Sequence, residues 1–149
     1  MSDTLGLSGI LNYGNTCYMN SAIQCLSNIP ELRKYFLKKK FIEDLNTKKN
    51  ESNLTIEFYK LLSNIWIKNS TIAPNQFRQS VIILSMKTGN NTNFVNNGQN
   101  DVQEFLSFLL NGFHESLSKK VKMNINGEIK NEMDKKVKDA MKSWISFFK

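Results

Sequence analysis

The chain has 149 residues, 40% hydrophobic and 22% charged, with a formal net charge of +7. That length suits a single domain with a core of its own, and the composition excludes a wholly disordered or collagen-like chain. No run approaches the roughly 18 consecutive apolar residues of a membrane span, and Met1 to Gly6 lacks the basic and apolar blocks of a signal peptide. The sequence therefore points to a cytosolic or nuclear chain that does not enter a membrane. The excess of lysine would suit an anionic partner, yet the lysines are scattered among acids and asparagines. The runs Lys38 to Lys40, Lys48-Lys49, Lys119-Lys120 and Lys135-Lys136 lie near element ends or on polar faces, where solvation accounts for them. Nucleic acid is not the expected partner. With two cysteines, a single histidine, and neither a CxxC pair nor an HExxH, no zinc site and no cofactor are expected. Cys17 and Cys25 on one helix would stand roughly 12 Å apart, beyond the roughly 7 Å reach of a disulfide, so both thiols are expected free.

In chain order, the first helix signal is at Asn15-Thr16, where Thr16 can cap and the run from Cys17 to Leu26 carries apolar residues at helical intervals, Cys25 falling on the buried face. Asn28-Ile29 breaks it, and Pro30 in a first-turn position opens a second helix that Lys38 to Lys40 end. The polar stretch Asn46 to Asn53 reads as a loop. Leu54, Phe58, Leu61, Leu62 and Ile65 then mark one buried face of a helix reaching about Lys68, widened by Tyr59 and Trp66. Pro74 begins another helix with Phe77, Val81, Leu84 and Ser85, and Gly89 to Asn100 is an Asn-rich loop without periodicity. Asp101 or Asn100 caps the longest amphipathic run, with Val102, Phe105, Leu106, Leu109, Leu110, Phe113 and Leu117 as a continuous stripe. A last helix from about Glu132 carries Val137, Met141, Trp144, Ile145 and Phe148, and the chain stops on an apolar run without a cap or turn, as if interrupted. No segment reads as a sheet, and no repeat or linker divides the chain: the fold class expected is mostly α.

Two segments carry chemistry. The first runs from Gly6 to Ser21 and puts Cys17 at a helix N-terminus, where unpaired backbone N–H groups and the positive end of the helix dipole favour thiolate over thiol. Gly14 allows close approach of the loop, and Asn12 and Asn15 offer amides that can donate to an oxyanion beside the sulfur. The alternative is an ordinary structural cysteine at a helix start. The second segment is Gly98 to Leu110 followed by Phe113-His114-Glu115; on its own, Asp101 there is a helix cap and Glu104 its capping-box partner.

The stretch ending Asn12-Tyr13-Gly14-Asn15-Thr16-Cys17-Tyr18-Met19-Asn20-Ser21 resembles the Cys box of the ubiquitin-specific proteases, Gly-Leu-x-Asn-Leu-Gly-Asn-Thr-Cys-Tyr-Met-Asn-Ser. Ser8-Gly9-Ile10 shifts the spacing at its front, and Tyr13 stands where leucine is common. Gly98-Gln99-Asn100-Asp101-Val102-Gln103-Glu104-Phe105 resembles the family's Gln-Gln-Asp box, with Asn100 in place of the commonest glutamine. The final helix with Ala140 and Trp144 is similar to the stretch that precedes the fingers in these enzymes. The resemblance implies a tail at residues 1–4 and, over 5–149, the helical thumb subdomain of a papain-like α+β cysteine peptidase, the nucleophile-bearing N-terminal part, with the fingers and the palm sheet absent.

It further implies that Cys17 attacks the carbonyl after ubiquitin's terminal glycine, that the Asn12 amide stabilises the oxyanion, and that Asp101 holds ubiquitin's extended tail. A cysteine protease also needs a base beside the sulfur and a group to orient it. The only histidine, His114, lies on the flank of the apolar stripe, matches the ordinary histidine of the Gln-Gln-Asp helix, and is not assigned as that base; the family's Gly-His-Tyr type motif does not occur. The expected partners are ubiquitin or ubiquitinated proteins, together with a missing C-terminal half. The alternatives are a catalytically inactive ubiquitin-binding module and a basic nucleic-acid binder. Without a palm, the stripes around Leu109 and Trp144 are expected to be partly uncovered.

Overall fold

The computed structural model describes residues 5–89, 92–96, 98–119 and 125–147, so the tail at residues 1–4, Lys120 and Phe148 lie outside the described residues. The chain divides into two compact units, Met1–Ser118 and Lys119–Lys149. Among the described residues no helix is long and apolar enough to cross a membrane.

In the first unit, β1 (Gly9–Ile10) precedes α1 (Cys17–Ser27), α2 (Pro30–Leu37) and the short α3 (Phe41–Asp44). Next come α4 (Ser52–Ile67), β2 (Thr71–Ile72), α5 (Asn75–Thr88), a 3-10 turn at Thr92–Val95, and α6 (Val102–Leu117). The described residues are thus mostly helical, as the periodicity predicts. The sheet is the exception: β1 and β2 pair in parallel, with Gly9 opposite Thr71 and Ile10 opposite Ile72. Two residues a strand are too few to show a period of two, which is why the sequence hides them.

Apolar spacing determines the packing. On α4 the predicted face Leu54, Phe58, Leu61, Leu62 and Ile65 is buried, and it meets α2, α5 and α6. An aromatic cluster forms where these helices converge. The Phe36 ring lies 5.0 Å from Phe58 and 5.5 Å from Phe113, and Phe58 lies 4.8 Å from Phe113, within the range of favourable tilted contacts. Close approach of α6 to α4 requires Gly112, because a Cβ there would stand 2.8 Å from Leu54 Cδ2. Beneath it the buried hydroxyls of Thr55 and Ser116 hydrogen-bond each other at 2.6 Å.

Several sequence expectations are corrected. The stripe on α6 is narrower than predicted: Phe105, Leu109 and Phe113 are buried, whereas Val102 and Leu110 are about half exposed. Leu109 is therefore not an uncovered residue. The loop after Gly89 contains a turn pinned by Phe94, which is buried and stacked on Tyr18 at 5.9 Å. Cys25 is exposed rather than buried, because α1 turns Ala22, Ile23 and Leu26 inward and leaves Cys25 on the flank of that face.

The second unit contains α7 (Glu132–Phe147). Asn131 caps it by accepting from Asp134 N at 2.8 Å. Met133, Val137, Met141 and Trp144 recur at helical spacing along one face and are exposed.

Candidate active site

The segment before Cys17 is held along both sides. On one edge Gly9 N donates to Ser70 O and Leu11 N to Ile72 O, at 3.1 and 2.9 Å. On the other, two α1 side chains one turn apart reach back over it. Asn20 Nδ2 donates to the carbonyls of Ile10 (3.3 Å) and Leu11 (3.1 Å), and Gln24 Nε2 to that of Ser8 (2.7 Å). The Ser8 hydroxyl in turn donates to the carbonyls of Ile65 and Lys68 at the end of α4. Neither Asn20 nor Gln24 was singled out from the sequence. Their i,i+4 spacing on a helix that follows a glycine-bounded loop is the signal that could have found them.

From Leu11 the chain makes a tight turn into α1. Gly14 (φ 69°) and Asn15 (φ 43°) both adopt left-handed backbone, a conformation open to glycine and, among other residues, most readily to asparagine. The Asn12 side-chain oxygen closes this turn, accepting from Thr16 N at 3.2 Å and from the Thr16 hydroxyl at 2.8 Å. Thr16 does not cap α1 through its side chain as predicted, because its hydroxyl is engaged in that turn and also accepts from Tyr13 N at 3.0 Å. Cys17 follows as the first residue of α1, exposed.

Asp101 is the N-cap of α6, its Oδ1 accepting from Gln103 N at 2.7 Å and from Glu104 N at 3.0 Å. Both bonds fall on one oxygen of an exposed carboxylate. Tyr18 joins this helix start to that of α1. Its ring meets Phe105 edge-on at 5.4 Å. Burial raises the Tyr18 pKa, and the nearby Asn100 amide opposes that shift. Through Tyr18, the residue after Cys17, the start of α1 thus packs against Phe105 in the first turn of α6, the helix that Asp101 caps. His114 is not part of this group. It is exposed in the last turn of α6, nine residues and roughly 13 Å of helix beyond Phe105.

No cluster of His, Cys, Asp and Glu among the described residues could hold a metal ion. A shallow pocket of about 300 Å³ lies at β2, lined by Asn64, Lys68, Ser70 and Thr71 among others, and includes no residue of the Cys17 turn.

Comparison with known proteins places this geometry in a family. The family model described as ubiquitin carboxyl-terminal hydrolase matches residues 8–146. Human ubiquitin carboxyl-terminal hydrolase 2 is 40% identical over 117 residues, covering 76% of this chain and 18% of its own length. Rat ubiquitin carboxyl-terminal hydrolase 15 is 40% identical over 118 residues, covering 76% of this chain and 12% of its own. The chain therefore spans under a fifth of the length of these relatives. The fold is similar to that of a chain in the SAGA DUB module of Ubp8, Sgf11, Sus1 and Sgf73 bound to monoubiquitin. The TM-score is 0.57 at 22% identity, over 74% of this chain and 25% of that one. The same module bound to ubiquitin aldehyde gives a TM-score of 0.57 at 23% identity, over 74% and 24%. From the match across residues 8–146 and these relatives, the chain belongs to the ubiquitin carboxyl-terminal hydrolase family.

Proposed function

We propose that this chain is the nucleophile-bearing thumb of a thiol-dependent deubiquitinase and that ubiquitin is its partner. The observation that carries the reading is the bridge between the two helix starts. The ring of Tyr18, next to the exposed Cys17, packs edge-on at 5.4 Å against Phe105 in the first turn of the helix that the exposed Asp101 caps. A peptide tail lying across α6 toward α1 would thus pass the carboxylate before its terminal carbonyl met the sulfur. That solved modules of similar fold were captured with monoubiquitin and ubiquitin aldehyde is consistent with this partner.

In this reaction the Cys17 sulfur bonds to the carbonyl carbon of ubiquitin's terminal glycine, and the carbonyl electron pair moves onto oxygen. Asn12 Nδ2 donates to that oxyanion, since Oδ1 of the same amide is committed to Thr16. Collapse of the intermediate expels the amine, which takes up a proton, and water then hydrolyses the thioester. Asp101 Oδ2 accepts from the tail backbone while Oδ1 keeps the cap. The position of His114 leaves the proton transfers to a group contributed from outside these residues, by a further segment or a partner chain.

The same position of His114 favours a second reading, a ubiquitin-binding module without turnover. Treating the chain with ubiquitin aldehyde and locating any adduct by mass spectrometry tests the first. A hemithioacetal on Cys17, lost in Cys17→Ala, supports the nucleophile. Binding of ubiquitin without any adduct leaves the second.

A further inference from the structure

Thr16 is buried, yet its hydroxyl caps no helix. Its oxygen accepts from Tyr13 N at 3.0 Å, and because that backbone group can only donate, the hydroxyl proton must point elsewhere. It points to Asn12 Oδ1, at 2.8 Å, and Thr16 N donates to the same atom at 3.2 Å. Two donors from one residue therefore converge on one end of the Asn12 carboxamide. The two ends of a carboxamide differ, since only the oxygen accepts. Rotating the group by half a turn would set Nδ2 against an O–H and an N–H, losing both bonds and leaving buried donors unsatisfied. The remaining end, Nδ2, is then the one that can donate outward.

We infer that Thr16 is a positioning residue whose hydroxyl fixes the Asn12 carboxamide so that Nδ2, not Oδ1, is presented to a carbonyl oxygen bonded at Cys17. This rests on the proposed role of Asn12 as oxyanion donor, and it adds a reason for threonine at the position before the cysteine. A helix cap would ask for any of serine, threonine, aspartate or asparagine. This arrangement asks for a hydroxyl that accepts and donates at once, which the carboxylate of aspartate cannot do. The Tyr13 amide sets the direction of the hydroxyl, so the orientation of Asn12 is fixed before any substrate arrives, as an oxyanion donor requires.

The test uses the whole chain with Thr16→Val, which keeps the shape without the hydroxyl, and Thr16→Ser, which restores it. Nitrogen-15 relaxation of the Asn12 side-chain amide reads the lock directly. Order in the wild type and Thr16→Ser with mobility in Thr16→Val is expected, and equal order in Thr16→Val overturns the inference. Affinity for ubiquitin aldehyde reads its use, because the adduct oxygen occupies the oxyanion position. Thr16→Val should weaken it roughly five- to tenfold, the scale of one lost neutral hydrogen bond. Thr16→Ser should restore it, and Thr16→Val should add nothing to Asn12→Ala. Additive losses, or a Thr16→Ser as weak as Thr16→Val, would overturn the positioning role while leaving Asn12 as the donor. Wild-type affinity in Asn12→Ala, or no adduct in the wild type, would instead remove the oxyanion reading and the role of Thr16 with it.

Discussion

The Tyr18 ring meets Phe105 edge-on at 5.4 Å. One of these residues follows Cys17 and the other lies in the first turn of the helix that Asp101 caps, so a single ring contact spans two segments more than eighty residues apart in sequence. Phe94 stacks on the same Tyr18 ring at 5.9 Å and meets Phe105 at 5.5 Å, so three rings together fix where α1 meets α6.

If that contact couples the two helix starts, Tyr18→Leu and Phe105→Leu will be non-additive in chemical denaturation, with a coupling of about 0.5–1.5 kcal/mol, the scale of an edge-to-face aromatic pair. Strict additivity would mean that each ring packs independently of the other.

Much of this junction was legible in the sequence. The apolar spacing on α4 gave the buried face Leu54, Phe58, Leu61, Leu62 and Ile65, and the cap at Asp101 followed from residue type and position. The short β1–β2 pair was not legible, since Gly9–Ile10 and Thr71–Ile72 are joined across 62 residues and neither is long enough for alternation to show. Thr16 was misread for a different reason. A threonine before a helix satisfies the capping rule, and only the three-dimensional turn reveals that Asn12 and Tyr13 take its hydroxyl first. Cys25 misled because a small thiol reads as an apolar residue, although α1 buries Ala22, Ile23 and Leu26 without it.

Both thiols are exposed, so accessibility alone does not discriminate the nucleophile. A ubiquitin bearing a C-terminal electrophile should modify Cys17 alone. Recovery of the adduct on Cys25 would mean that the tail does not reach the turn around Asn12.

Phe58 is fully buried and lies within 5.0 Å of Phe36 and 4.8 Å of Phe113, so its truncation leaves a void among rings on three helices. Phe58→Ala should cost about 3–5 kcal/mol in urea or thermal unfolding. A loss below about 1 kcal/mol would show that the aromatic cluster is not the centre of the core.

Tyr35 donates to Asp44 Oδ2 at 2.6 Å; burial first, and then the Asp44 carboxylate, raise its pKa far above the ordinary value of 10.0. A group whose folded pKa is raised contributes stability that is whole below its unfolded pKa and lost as pH rises through the folded one. Stability should therefore fall in alkaline solution above about pH 10, and an ultraviolet titration of the phenols should show Tyr35 among those that ionise late, beside Tyr18, whose pKa burial also raises. Tyr35→Phe should remove its late step and, by losing the bond to Asp44, lower stability at neutral pH. A titration unchanged by Tyr35→Phe would refute the assignment.

Asp101 allows capping and tail binding to be separated. Its Oδ1 accepts from Gln103 N and Glu104 N, a task asparagine performs about equally well at an N-cap. Asp101→Asn should therefore leave stability within a few tenths of a kcal/mol, whereas Asp101→Ala should cost about 1 kcal/mol. Ubiquitin binding should divide the variants differently. With Oδ1 still held by the cap, the asparagine presents an NH2 group where Oδ2 stood, setting a donor against the N–H of an incoming tail. Both variants should then bind ubiquitin at least several-fold more weakly, a loss comparable to that of a charged hydrogen-bond acceptor. Calorimetric titration with ubiquitin beside thermal unfolding reads the two effects independently. An Asp101→Asn chain that kept both its stability and its ubiquitin affinity would confine Asp101 to the cap.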